Sequence, residues 1–168
     1  MSISPNVYSD ERGFFFESFN KVWFDKIVGS KTSFVQDNHS KSSYGVLRGL
    51  HSQKFPMEQA KLVRVSKGKI FDVAVDIRKN SLTYGQWVSE ILTDENKKQL
   101  WIPEGFAHGF LTLSNYAEVQ YKTNNYYDPD CEVSINPFDK DISIKWPSIS
   151  CDYSLSEKDK CGLDFKVL

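Results

Sequence analysis

Histidines are the side chains best suited to move protons near neutral pH, because an imidazole titrates between about pH 5 and 8. His51 closes the segment Val46–His51, in which Arg48 lies three residues earlier. On a regular strand Arg48 and His51 would face opposite ways, whereas a bulge at Gly49 would turn both toward one cavity. The segment leaves two interpretations open: a general base, or a hydrogen-bonded histidine at the end of a strand.

The other two histidines have weaker local support for a catalytic role. His39 lies in a polar stretch, which predicts an exposed or hydrogen-bonded ring. His108 would share a strand face with Phe106 and Phe110, a setting more typical of a core histidine than of a substrate contact. The chain has no His-x-His pair of the kind that holds a metal in small jelly rolls, so the spacing gives no support for a metal site.

A lysine and a tyrosine are candidates for a fixed charge and a proton donor. Lys61 opens an apolar strand pattern, where a lysine normally protects a sheet edge but inside a cavity would supply a positive charge. Tyr121 shares a strand face with Ala117 and Val119, which predicts a core aromatic whose phenol could also donate a proton. Residue types and spacing alone therefore indicate an all-β domain, with an enzyme as one alternative.

The segments that would position these residues are mostly short strands. Phe71–Ile77 alternates in period two, and the connector around Gly68 predicts a β-hairpin between this strand and the one at residues 61–65. Phe19–Val28 has helical spacing, carried by Phe19, Val22, Trp23 and Ile27, and Gly29 is a suitable stop. Many short strands with one early helix predict an all-β sandwich or barrel, for which a jelly roll is the best match.

Composition excludes several classes of function. The chain has 168 residues, which suits a single domain over residues 1–168, and its net charge of -1 gives no support for a nucleic-acid or membrane partner. It has no signal-peptide pattern and no apolar run of about 20 residues, so we expect a cytoplasmic protein. Cys131, Cys151 and Cys161 form no Cys-x-x-Cys pair, which argues against a disulfide framework or a zinc site.

Long motifs make residues 8 to 147 similar to the dTDP-4-dehydrorhamnose 3,5-epimerase family. These motifs are Asp10–Glu17, Phe34–Ser40, Val46–His51, Lys61–Arg64, Phe71–Arg78, Gln99–Phe110, Tyr121–Tyr127 and Ile144–Pro147. The resemblance implies a cupin-like jelly-roll barrel with one short N-terminal helix and a helical or irregular C-terminal tail. It also implies a homodimer that exchanges strands between its subunits.

The activity that this resemblance implies is inversion of C3 and C5 in a dTDP-linked 4-keto-6-deoxyhexose. A proton next to the ketone is removed from one face and returned on the other, without metal or cofactor, in deoxysugar biosynthesis of the dTDP-L-rhamnose type that supplies bacterial surface sugars such as lipopolysaccharide. Three alternatives stay open: an epimerase that acts at C3 only, a 3,4-ketoisomerase, and a non-catalytic cupin that binds sugar nucleotides.

The resemblance also implies a role for individual residues. His51 matches the general base, Lys61 the cation near the ketone oxygen, and Tyr121 the acid on the opposite face. Asp159 resembles the carboxylate that orients the histidine, with Asp152 as the alternative. The positions that match the substrate pocket are Arg12, Glu17, Gln36, Asn38, Arg48, His108, Tyr127 and Glu132. Two of these, Arg12 and Glu17, match positions that reach the neighbouring subunit's site.

Overall fold

Two five-stranded antiparallel sheets make up most of the computed structural model, which describes residues 1–29 and 32–168. With strands numbered in chain order, the first sheet contains in spatial order β1 (Ser2–Ile3), β9 (Gln99–Ile102), β6 (Lys61–Lys67), β11 (Tyr116–Thr123) and β4 (Gln36–Ser43). The second contains β12 (Glu132–Ser134), β5 (Leu47–Gln53), β10 (Phe106–Thr112), β7 (Lys69–Asp76) and β8 (Trp87–Thr93). The remaining elements are the hairpin of β2 (Tyr8–Asp10) and β3 (Gly13–Phe15), helices α1 (Lys21–Val28) and α2 (Glu157–Lys160), and a 3₁₀ turn (Phe165–Val167). The prediction of a mostly β protein is confirmed.

The apolar core between the two sheets continues into polar residues along the same strand faces. Val63 and Val65 of β6 and Val119 of β11 are buried in this core. Because side chains alternate along a strand, Lys61 and Tyr121 fall on these same inward faces. The strands that form the core therefore also direct Lys61 and Tyr121 into the space between the two sheets.

The connection between β6 and β7 is not the predicted hairpin. The strands themselves are present, but β6 pairs with β9 and β11, while β7 pairs with β8 and β10. Gly68 alone links Lys67 to Lys69, and its φ of +82° lies in the left-handed region. A single residue is too short for a two-residue hairpin turn, and here it carries the chain from one sheet to the other.

The predicted helix is confirmed, although its buried anchor was not among the expected residues. The Asn20 side chain accepts hydrogen bonds from the first turn of α1, and Gly29 closes the helix with a φ of +73°. Phe24 is the buried residue of α1 and packs against Trp101 on the outer side of the first sheet. Three other apolar residues of the helix are exposed, namely Val22, Trp23 and Ile27.

The C-terminal segment, residues 135–168, covers the outer side of the second sheet. Ile142 and Phe165 pack onto Val73 and Val75 of β7. The buried Asp139 carboxylate accepts hydrogen bonds from the backbone of Asp141, Ile142 and Phe165, which ties the segment together. Among the described residues, no helix is long and apolar enough to cross a membrane. The assignment of residues 1–168 to one domain stays a prediction.

Candidate active site

A polar cavity of about 270 Å³ opens between the two sheets. The predicted site residues that line it are Arg48, His51, Lys61, His108, Tyr121, Tyr127 and Glu132. These side chains come from five strands and one loop, so only the folded chain brings them together. The three residues expected to act on protons and charge, His51, Lys61 and Tyr121, share this one cavity.

A bulge at Gly49 directs Arg48 and His51 into the cavity, the arrangement that the sequence had left open. His51 pairs with His108 and Arg48 pairs with Phe110, so three steps along β5 oppose two steps along β10. Gly49 has a φ of +114°, and a Cβ there would lie 2.6 Å from Gly109 Cα. Glycine is therefore required at this position both for its dihedral angle and for the close approach of the two strands.

His51 is held by the carboxylate of Asp159. The distance from His51 Nε2 to Asp159 Oδ1 is 2.6 Å, and the carboxylate is 4% exposed. Ser156 Oγ donates to Asp159 Oδ2 at 2.7 Å, and the backbone N–H of Gly49 also donates to this carboxylate. With Nε2 occupied by Asp159, Nδ1 is the imidazole nitrogen that can accept a proton.

Burial alone would raise the pKa of Asp159, but hydrogen bonds from His51 and Ser156 outweigh it and hold the pKa below its ordinary value. The carboxylate is therefore ionised at neutral pH. The alternative partner, Asp152, is exposed, so the structure brings Asp159 and not Asp152 to His51.

Lys61 places a buried ammonium group in the cavity. Its side chain is 6% exposed, and burial lowers its pKa to about 8, an effect that the Glu132 carboxylate opposes. The group still carries its proton at pH 7, because that pH lies below its pKa. Lys61 does not lie at a solvated sheet edge, since β6 is flanked by β9 and β11.

Tyr121 supplies a protonated phenol on the inward face of β11. Burial raises its pKa, and the positive charges of Arg48 and Lys158 only partly oppose this effect. The phenol therefore keeps its proton at neutral pH and is available as a donor.

A hydrogen-bonded group around Glu132 lines part of the cavity. Tyr127 donates its hydroxyl to Glu132 at 3.1 Å, and Lys158 of α2 forms an ion pair with Glu132 at 2.7 Å. On the adjoining strand β4, Gln36 donates to Asn38 at 3.0 Å and accepts from the backbone N–H of Tyr127 at 3.3 Å. Sequence reasoning missed Lys158, although it directly precedes Asp159.

A second histidine–carboxylate pair is formed by His108, which lines the cavity, and Asp72. His108 Nε2 is 2.6 Å from Asp72 Oδ1, and Asp72 is fully buried. Burial raises the pKa of Asp72, while His108 acts in the opposite direction. His108 is therefore hydrogen-bonded, as its local sequence predicted, and it also lines the cavity. Sequence reasoning missed Asp72; its place on the second face of the alternating β7 strand was the available signal.

Four predicted pocket residues do not line this cavity of their own chain: Gln36 and Asn38 on β4, described above, and Arg12 and Glu17. Arg12 pairs with Asp10 at the tip of the β2–β3 hairpin, and Glu17 accepts a hydrogen bond from Asn20. Their expected contact with a neighbouring subunit stays a prediction. His39 also lies away from the cavity and contacts Glu118 at 3.2 Å, in agreement with its predicted hydrogen-bonded ring. Within residues 1–29 and 32–168, no cluster of histidine, cysteine or acidic side chains is arranged to hold a metal ion.

Comparison with known proteins gives one consistent result. A family model described as dTDP-4-dehydrorhamnose 3,5-epimerase matches residues 1–166. A Salmonella typhimurium protein of that name is 61% identical over 145 residues, which are 86% of this chain and 79% of the relative.

Two solved structures of sugar-nucleotide epimerases are similar to this chain. A dTDP-6-deoxy-D-glucose-3,5-epimerase from Legionella pneumophila, in complex with dTDP-4-keto-L-rhamnose, is 49% identical with a TM-score of 0.96, over 99% of this chain and 88% of that one. ChmJ, a 3'-monoepimerase from Streptomyces bikiniensis in complex with dTDP-quinovose, is 32% identical with a TM-score of 0.92, over 98% of this chain and 83% of that one.

Proposed function

The chain belongs to the dTDP-4-dehydrorhamnose 3,5-epimerase family, and from this membership we propose that it inverts C3 and C5 of a dTDP-linked 4-keto-6-deoxyhexose. The product would enter deoxysugar biosynthesis of the dTDP-L-rhamnose type. The observation that carries the proposal is the convergence of His51, Lys61 and Tyr121 on one cavity. A base, a cation and a proton donor are the groups that epimerisation beside a ketone requires.

In the proposed mechanism, His51 removes the proton from the carbon next to the ketone. The proton goes to Nδ1, and Asp159 on Nε2 fixes the tautomer and stabilises the imidazolium that forms. A positioned base of this kind contributes roughly 10² to 10⁴ in rate. The electron pair of the broken C–H bond moves onto the ketone oxygen and forms an enolate.

Lys61 stabilises the negative charge that develops on this oxygen. Its ammonium group is buried, so water screens the interaction little and the charge need not reorganise during the reaction. One such donor contributes roughly 3 to 4 kcal/mol to the transition state. Tyr121 then delivers a proton to the opposite face of the carbon, and the configuration is inverted. The substrate is neither oxidised nor reduced overall, so the mechanism uses no redox cofactor.

The other polar groups of the cavity are proposed to bind the sugar nucleotide. Arg48 can hold diphosphate oxygens through charge-assisted hydrogen bonds, and Tyr127 offers a ring on which the thymine base can stack. His108 and Glu132 would contact the sugar or the nucleotide from within the cavity, while Gln36 and Asn38 would do so from β4.

We further propose that the fold is a cupin-like jelly roll that acts as a homodimer. Strands β4, β11, β6 and β9 form one sheet and β5, β10, β7 and β8 the other, an order that supports two interleaved Greek keys. The β2–β3 hairpin exposes Tyr8, Phe14 and Phe15, and such an apolar surface supports burial against a second copy. In that dimer Arg12 and Glu17 would reach the partner's cavity.

Proton exchange in heavy water tests the activity directly. With dTDP-4-keto-6-deoxyglucose as the substrate, NMR should detect deuterium at both C3 and C5. His51→Ala should abolish both exchanges, whereas His39→Ala, which changes a histidine outside the cavity, should leave them intact. Deuterium at C3 alone would instead match the 3'-monoepimerase activity that ChmJ is named for. Exchange that persists in His51→Ala would remove His51 as the base.

A further inference from the structure

Ser156 precedes α2 and contacts the carboxylate that holds His51. Its hydroxyl donates to Asp159 Oδ2 at 2.7 Å and accepts from the backbone N–H of Asp159 at 3.2 Å. The same hydroxyl therefore restrains both the backbone and the side chain of Asp159. We infer that Ser156 is a positioning residue that keeps Asp159 Oδ1 aimed at His51 Nε2, an inference that rests on the proposed epimerase function.

The surroundings of Asp159 make this hydroxyl important. The carboxylate is 4% exposed, and a buried anion needs hydrogen-bond donors on both of its oxygens. Within the part of the chain that the structure describes, no lysine or arginine forms an ion pair with Asp159, because the adjacent Lys158 pairs with Glu132 instead. Besides His51, the donors are the Ser156 hydroxyl and the Gly49 backbone N–H.

Without this hydroxyl, Oδ2 would lose its side-chain donor and the carboxylate could rotate away from His51. The pKa of Asp159 would also move upward, since the Ser156 hydrogen bond is among the interactions that lower it against the effect of burial. The titratable groups closest in the chain or in contact are His51 on β5, Glu132 on β12, and Glu157 and Lys158 on α2. None of these changes identity in the variants below.

A serine in this position also has a purely structural explanation, because it caps the first turn of α2. That role requires only the bond accepted from the Asp159 N–H, and the bond donated to Oδ2 lies outside it. Substitution by alanine removes both the cap and the donor. Glycine removes the donor but is tolerated at caps at a cost of a few tenths of a kcal/mol. Threonine keeps the hydroxyl and serves as the rescue variant.

The experiment compares Ser156→Ala, Ser156→Gly and Ser156→Thr with the control Ser154→Ala, an exposed serine that is two residues earlier and contacts Val46 through its backbone. We expect kcat to fall roughly 10- to 100-fold for the alanine and glycine variants, the range for one hydrogen bond to a charged group. KM should change little, because Ser156 lies outside the residues that line the cavity. The acid limb of kcat/KM should move to higher pH in both variants, and Ser156→Thr and Ser154→Ala should resemble the wild type.

The results separate this inference from the proposed function. Wild-type kcat and an unchanged pH profile in Ser156→Gly would overturn the positioning role, even if Ser156→Ala lowered the Tm. That result would leave the proposed function intact, because the function depends on deuterium exchange by the wild-type enzyme and not on Ser156. A wild-type enzyme that exchanges no deuterium would overturn both together.

Discussion

At the scale of single residues, the charge of Lys61 links burial to rate. Burial lowers its pKa to about 8, so the ammonium group loses its proton as the pH rises through that value. Because the charged form is the one proposed to stabilise the enolate, we expect kcat to fall above about pH 8. An arginine keeps its charge at these pH values. We therefore expect Lys61→Arg to have a lower kcat than the wild type, but one that does not fall above pH 8. Initial rates by NMR across this range, for both proteins, measure the difference, and identical profiles would contradict it.

The carboxylate that orients His51 can be identified by a matched pair of variants. Asp159→Asn keeps the size of a buried side chain that lies 2.6 Å from His51, but removes its negative charge. Loss of such a charge lowers kcat by roughly 10² to 10⁴, because the histidine takes the wrong tautomer and its imidazolium is not stabilised.

Asp152→Asn is the control, since Asp152 is exposed and was the alternative assignment. We expect Asp152→Asn to keep wild-type kcat in the same deuterium-exchange assay. An equal fall in kcat for the two variants would contradict the assignment of Asp159 as the carboxylate that orients His51.

At the scale of elements, the β5 bulge depends on a glycine that nothing larger can replace. A Cβ on Gly49 would lie 2.6 Å from Gly109 Cα and 2.7 Å from the His108 carbonyl oxygen, at a φ of +114°. Gly13 has a similar φ of +132° but open space around it. We expect Gly49→Ala to lower the free energy of unfolding by about 3 kcal/mol or more, and Gly13→Ala by about 1 kcal/mol. Urea denaturation measures the free energy of unfolding of both variants. Equal losses would show that the close contact between β5 and β10 at Gly49 adds nothing to the cost of the unfavourable φ.

The same bulge shows what a sequence can predict about an element. Gly49 between Arg48 and His51 indicated where a bulge could form, and alternation predicted that Tyr121 shares a face with Val119. Pairing was harder, because β7 pairs both with the next strand, β8, and with β10, which lies further along the chain. The hairpin prediction at Gly68 assumed that strands adjacent in sequence pair with each other, and tertiary packing placed them in different sheets.

Contacts made over long sequence distances set the limit for predicting the site. Asp159 lies 108 residues from His51, and no periodic pattern connects them, so only the family resemblance suggested the pair. Asp72 was visible as a polar residue in an apolar strand, but nothing local indicated that its carboxylate would contact His108. For α1, spacing predicted the helix, while the position of Trp101 decided that Phe24 would be its buried residue.

At the scale of the whole molecule, one predicted pocket residue lies outside the cavity of its own chain. Arg12 is exposed at the tip of the β2–β3 hairpin and pairs with Asp10, away from the cavity that holds His51. The same hairpin exposes Phe14 and Phe15, and α1 exposes Trp23. Burying this apolar surface against a second copy would be favourable at roughly 25 cal/mol per Å². The hairpin is therefore the element that we expect to cross between subunits.

Mixing two inactive variants tests whether Arg12 acts in the partner's cavity. In a homodimer, Arg12→Ala should lack its substrate contact and His51→Ala its base, so each variant alone should be nearly inactive. After the two are denatured together and refolded, a mixed dimer contains one cavity with an intact His51 that receives Arg12 from the His51→Ala chain. Activity should therefore reappear on mixing.

If Arg12 acted within its own chain, neither cavity of the mixed dimer would be complete, and mixing would restore nothing. Each variant refolded alone is the control, and it shows whether any activity returns without mixing. Different affinity tags on the two variants allow mixed dimers to be isolated by two successive purifications, so a lack of activity cannot be attributed to failed assembly. The two arrangements differ only in which chain supplies the arginine, and the rate of deuterium exchange after mixing decides between them.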